Sequence, residues 1–219
     1  MTEILPLPTG AELRVTNAPS PLAVVCINGG QGGLVEGTWS ASLEWLVEQL
    51  APSRPTIRFS EVRYRIKSWR KLDWCIEDAQ AAVEQTGGAR TLLVGFSMGG
   101  AVGIGATDTP TVEGLVGLAP WIPDRMPVES LVGRRFDVIH GSLDRWLPGI
   151  PGVSTASSRR GFDRVQALGV PGSYTLIRGA VHPIALRRPS GAPFPFPRAR
   201  RWAELLGERI DAFARSTTV

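Results

Sequence analysis

The chain has 219 residues, 43% hydrophobic and 20% charged, a composition that fits a folded globular protein and excludes a disordered one. Its 24 basic residues against 20 acidic ones leave a formal charge of only +4, and all the basic side chains except Lys67 and Lys71 are arginine. The isoelectric point near 9.7 therefore reflects arginine's high pKa and carries no nucleic-acid signal by itself.

The length fits one domain over residues 1–219. No apolar run approaches the roughly 18 to 20 residues that cross a bilayer, and the N-terminus lacks the pattern of an export signal. A cytoplasmic protein without a membrane span is expected. Cys26 and Cys75 are too few for a disulfide scaffold or a metal site and read as small buried hydrophobes, so no metal is expected.

In chain order, the segments ILPL and ELRV around Pro8, Thr9 and Gly10 predict an opening hairpin. PLAVVCINGG (21–30) is an apolar, β-branched run stopped by glycines, the pattern of a buried parallel strand. Residues 40–52 predict a helix capped by Ser40 and stopped at Pro52, 54–64 a strand, and 69–88 a second amphipathic helix ended by Gly87 and Gly88. RTLLVGFS (90–97) is another buried strand, followed by a glycine-rich helix over 98–106. Strands over 112–120, 134–142 and 173–179 and helices over 157–169 and 198–216 complete the alternation. Repeated strand–helix–strand order implies an α/β protein with a doubly wound, mostly parallel sheet and helices on both faces.

Gly95-Phe96-Ser97-Met98-Gly99 matches G-x-S-x-G, the turn that exposes a nucleophilic serine between strand and helix. A shuffle of this composition gives about 0.2 chance matches, so the string alone decides little. Its place where an apolar strand becomes a helix is what the motif requires. The competing reading is that the glycines only let helix and sheet pack closely.

A serine hydroxyl needs a base, and the base needs an orienting carboxylate. Of the two histidines, His140 lies inside a predicted strand, whereas His182 follows the last strand, where doubly wound sheets gather their chemistry. His182 is the better base and His140 a packing neighbour. Asp144 is the better carboxylate, with Asp124 as its rival, because its strand immediately precedes the one leading to His182. For the oxyanion, Met98 N–H is one donor and the loop Asn28 to Gly33 supplies the other, from Gly30 first and Gln31 second. That loop matches neither glycine-rich phosphate-binding pattern.

Glycine loop, G-x-S-x-G, His140-Gly141-Ser142-Leu143-Asp144 through Pro148, and His182 occur in the order found in the α/β-hydrolase superfamily, which the sequence resembles over nearly its whole length. Asn28 stands where many members carry histidine. The resemblance implies a three-layer α/β-hydrolase fold and hydrolysis of a small-molecule carboxylic ester or thioester through an acyl-serine, without a cofactor. Amidase, C–C hydrolase, perhydrolase and non-catalytic ligand-binding roles use the same scaffold.

Only Trp121 to Gly133, interrupted by Pro123 and Pro127, separate two strands where related enzymes insert a cap. The chain thus resembles the small capless members, dienelactone hydrolase-like or short-chain esterase-like, and an open cleft is expected. Phe96, Trp121 and Trp146 are candidate pocket walls. The basic segment Arg187 to Arg201 reads as a solvated loop beside the cleft. Arg187 and Arg188 are its candidate contacts for an anionic substrate; nucleic acid is not an expected partner, and a homodimer is left open.

Overall fold

A computed structural model describes residues 2–145 and 152–216. Its center is an eight-stranded sheet in the order β1-β2-β5-β3-β7-β8-β9-β10. The first two strands, β1 (Thr2–Pro6) and β2 (Glu12–Thr16), form the expected hairpin and join the sheet edge antiparallel to β5 (Ile57–Arg63). The remaining strands run parallel: β3 (Leu22–Ile27), β7 (Arg90–Phe96), β8 (Val112–Leu118), β9 (Arg135–Gly141) and β10 (Tyr174–Ile177). A two-residue pair, β4 (Val35–Glu36) with β6 (Ile66–Lys67), stands apart from the main sheet.

Side-chain alternation along each central strand feeds two cores. Val24, Cys26, Leu92, Val94 and Phe96 face α1 (Ala41–Leu50) and α5 (Ala199–Arg215). Val25, Ile27 and Leu93 face α2 (Leu72–Thr86), α3 (Gly99–Ala106) and α4 (Thr155–Gln166). Burial on both faces explains why β3 and β7 read as continuous apolar runs. Ser40 caps α1 by accepting from Leu43 N–H, and Gly87, at φ 72°, ends α2 in the left-handed conformation.

Chain order reverses around β3. It pairs with β5 on one side and β7 on the other, with Ile27 opposite Gly95. The segments leaving β3 and β7 therefore emerge side by side at the carboxyl edge, at a topological switch point. Residues 119–134, between β8 and β9, hold one short 3-10 turn, Glu129–Leu131, and no inserted helix.

The basic segment departs from the expected loop. β11 (Ala185–Arg187) pairs antiparallel with β12 (Pro193–Pro195), and Gly191 at φ 88° closes the turn between them. Pro193 and Pro195 sit on the second strand of this two-stranded ribbon, an edge position where proline is tolerated.

Candidate active site

Ser97 follows β7 with φ at 56°, a conformation that costs a non-glycine residue on the order of 1–3 kcal/mol. The turn is held on both sides: Ser97 N–H donates to Leu118 C=O at 2.9 Å, and Ser97 C=O accepts from Gly100 and Trp121 N–H, each at 2.9 Å. Glycine is required next to it. A Cβ on Gly95 would lie 2.6 Å from the carbonyl carbon of Gly99, and one on Gly99 would lie 2.8 Å from the carbonyl oxygen of Asn28.

This turn aims Ser97 Oγ at His182, 3.0 Å from Nε2. His182 Nδ1 lies 2.7 Å from Asp144 Oδ2. A carboxylate only accepts, so Nδ1 carries the proton and Nε2 is left to accept from the serine hydroxyl. His182 and Asp144 are both buried, and the Phe96 ring packs 5.1 Å from the imidazole. Asp124, the rival carboxylate, is exposed.

Asp144 has a second anchor. Its Oδ1 accepts from Val153 N–H at 2.9 Å, while Val153 C=O accepts from His140 Nε2 at 3.0 Å. His140, fully buried, thus holds the segment that holds the carboxylate, and its Nε2 is also 3.4 Å from Asp144 Oδ2. Burial depresses its pKa, against the opposing pull of Asp144 and the Val153 hydrogen bond. Gly152 completes this contact, since a Cβ there would fall 2.6 Å from Asp144 Oδ1.

The glycine loop packs onto the turn. A Cβ on Gly29 would sit 3.3 Å from Ser97 Cβ, and one on Gly30 would overlap the Met98 side chain. Asn28 fixes the loop from within: its Oδ1 accepts from Gly29 N–H and its Nδ2 donates to Thr38 C=O, both at 2.7 Å. Tyr64 hydroxyl donates to Asn28 C=O at 2.8 Å. Gly29 N–H is thereby consumed. The N–H groups of Gly30, Gln31 and Met98 have no hydrogen-bond partner among the described residues.

Two cavities meet at Ser97. One of about 280 Å³ is lined by Gly30, Gln31, Trp39, Lys67, Phe96 and His182 among others. The second, of about 240 Å³, is apolar and formed by Trp69, Met98, Trp121 and Val153 with Gly30 and Gly152.

No protein-family model matches the chain, and no curated protein sequence matches it. Solved structures do. Carboxyl esterase 2 from the mycorrhizal fungus Tuber melanosporum is 18% identical with a TM-score of 0.70, over 97% of this chain and 86% of that one. An α/β serine hydrolase homologue from Coxiella burnetii is 14% identical with a TM-score of 0.67, over 95% and 96%. A monoacylglycerol lipase from Paleococcus ferrophilus is 14% identical with a TM-score of 0.62, over 96% and 99%.

The chain has the α/β-hydrolase fold.

Within this α/β-hydrolase fold, Phe96 and Trp121 line the cavities at Ser97, whereas Trp146 and Pro148 lie outside the described residues. Arg187 borders the larger cavity, but its guanidinium is engaged by Glu44 of α1 at 2.9 and 3.1 Å. Arg188 stacks over Phe194 at 4.5 Å. Arg187 is therefore not a free cation, and Arg188, exposed and without an ion pair among the described residues, lines neither cavity at Ser97. The motifs did not mark Lys67, Trp69 or Val153. Trp69 had one local signal, its place just after Ser68, whose side chain caps the short turn that begins α2. Among the described residues no helix is long and apolar enough to cross a membrane.

Proposed function

We propose that this protein is a serine hydrolase that cleaves carboxylic esters or thioesters through an acyl-serine. The observation that carries the reading is the unbroken hydrogen-bond line from Asp144 through His182 to Ser97, on a serine held at positive φ beside N–H groups that have no partner among the described residues. The likeness to esterase and lipase structures is consistent with it.

In this mechanism Ser97 Oγ attacks the substrate carbonyl while its proton passes to His182 Nε2. Asp144 stabilizes the resulting imidazolium through Nδ1–H. Negative charge develops on the carbonyl oxygen, where Met98 and Gly30 N–H donate, with Gln31 N–H as the second candidate in the loop. Collapse of this intermediate breaks the bond to the leaving group, which takes the proton from His182. Water, deprotonated by His182, then attacks the acyl-serine, and the proton returns to Ser97 as the acid leaves. Phe96 and Trp121 form substrate walls, and the cavity sizes suit a small or medium ester.

Turnover of 4-nitrophenyl esters of two to eight carbons by wild type and Ser97→Ala tests the reading. Turnover that Ser97→Ala abolishes supports it; equal rates in both proteins overturn it.

A further inference from the structure

The two cavities at Ser97 differ in charge. The one walled by Trp69, Met98, Trp121 and Val153 is mostly apolar and carries no charged side chain on its lining. The other carries two basic side chains, Lys67 and Arg187, and no aspartate or glutamate on its lining. Such a cleft is electropositive unless its cations are neutralized from behind.

Arg187 is neutralized. Both its terminal nitrogens donate to Glu44, and one also reaches Trp39 C=O at 3.2 Å. Lys67 is not. It is held in place by the pairing of β6 with β4, opposite Val35, and its Nζ donates to Thr38 Oγ1 at 2.7 Å. It forms no ion pair among the described residues. An ammonium has three donors, so two remain for a ligand. Half-burial pushes the Lys67 pKa down, and no carboxylate offsets that. A partly desolvated cation without a counter-ion, beside a candidate nucleophile, leaves a place for a substrate anion. Its single charge is balanced by one carboxylate; a phosphate dianion would bring a surplus negative charge into the cleft.

We propose that Lys67 is a specificity-determining residue that binds a substrate carboxylate, so that the preferred ester carries a carboxylate on one arm and an apolar group on the other. The proposal rests on the hydrolase reading above. The apolar arm occupies the Trp69–Trp121 cavity, and the acidic arm lies in the Lys67 cleft.

The test compares 4-nitrophenyl pentanoate with the mono-4-nitrophenyl ester of glutaric acid, which differ in a terminal methyl against a carboxylate, after subtraction of spontaneous hydrolysis. Wild type is expected to favor the acidic ester in kcat/KM by about tenfold, Lys67→Met to reduce that ratio to about one, and Lys67→Arg to keep most of it. A wild-type ratio of one or less, or a ratio unchanged in Lys67→Met, overturns the proposal. Calorimetric binding of monomethyl glutarate to Ser97→Ala and to Ser97→Ala/Lys67→Met decides it without turnover. Binding weakened at least about fivefold by the second substitution supports it; no binding, or equal binding, refutes it. If wild type turns over neither ester while this binding difference holds, the hydrolase reading fails and the carboxylate site stands.

Discussion

Replacing Gly99 by alanine inserts one methyl group where two backbones touch. The new Cβ would lie 2.8 Å from Asn28 C=O oxygen and 2.9 Å from the Ile27 carbonyl carbon, with the Ile27 oxygen closer still. Ordinary contacts of this kind lie near 3.5 Å, so roughly 1 Å of separation must be found. Every clashing atom is backbone, and no side chain can swing aside. Overpacking of this kind costs about 1–3 kcal/mol, and the displaced segment carries Asn28 to Gly30, where an oxyanion donor is proposed. A shift near 1 Å there is expected to lower kcat/KM about 100-fold. Urea unfolding followed by tryptophan fluorescence and steady-state ester hydrolysis measure the two effects. Gly33→Ala is the stability control, because its nearest neighbor would be Val35 Cγ1 at 3.7 Å, and it should unfold within about 0.5 kcal/mol of wild type. Gly99→Ala with wild-type stability and turnover would refute this account of the turn.

Three further predictions concern the supports of the site. Asp144→Asn keeps an acceptor for Val153 N–H but presents an amide to His182 Nδ1, favoring the wrong tautomer; kcat should fall about 10³- to 10⁴-fold, and a loss below tenfold contradicts the role. His140 has a folded pKa below its unfolded value near 6.5, so the unfolded chain binds the extra proton and stability falls as pH drops through that value, by up to about 1.4 kcal/mol per pH unit. His140→Gln should flatten that slope in urea unfolding at pH 7, 6 and 5, and an unchanged slope contradicts it. Arg14→Met strips the partner at 2.8 Å from the buried Glu61, whose pKa burial already raises, and should destabilize by about 3 kcal/mol, measured by urea unfolding; a change below 1 kcal/mol contradicts the pairing's importance.

Most elements were legible in the sequence because each central strand is buried on both faces, so β3 and the body of β7 read as apolar runs with glycines near their carboxyl ends. Candidate site residues were legible where they lie at strand ends. Ser97 sits between two required glycines, and with only two histidines the choice fell on the one after the last strand. Lys67 was invisible for the opposite reason. It belongs to a two-residue strand, and its lack of a counter-ion among the described residues is a tertiary property that no local pattern encodes. Arg187 shows the same limit from the other side, since the glutamate that neutralizes it lies 143 residues away. The support that His140 gives Asp144 passes through Val153, a residue without a motif. The ribbon of β11 and β12 was obscured by prolines, which remove ladder donors but are tolerated on a short edge pair.

The central claim is that Ser97 is a nucleophile activated by His182. Intact-mass and peptide mass spectrometry after exposure to a fluorophosphonate tests it most directly. The account predicts one covalent adduct, on Ser97, that is lost in Ser97→Ala and slowed in His182→Ala. No adduct on wild type, or equal labelling of Ser97→Ala, would contradict it.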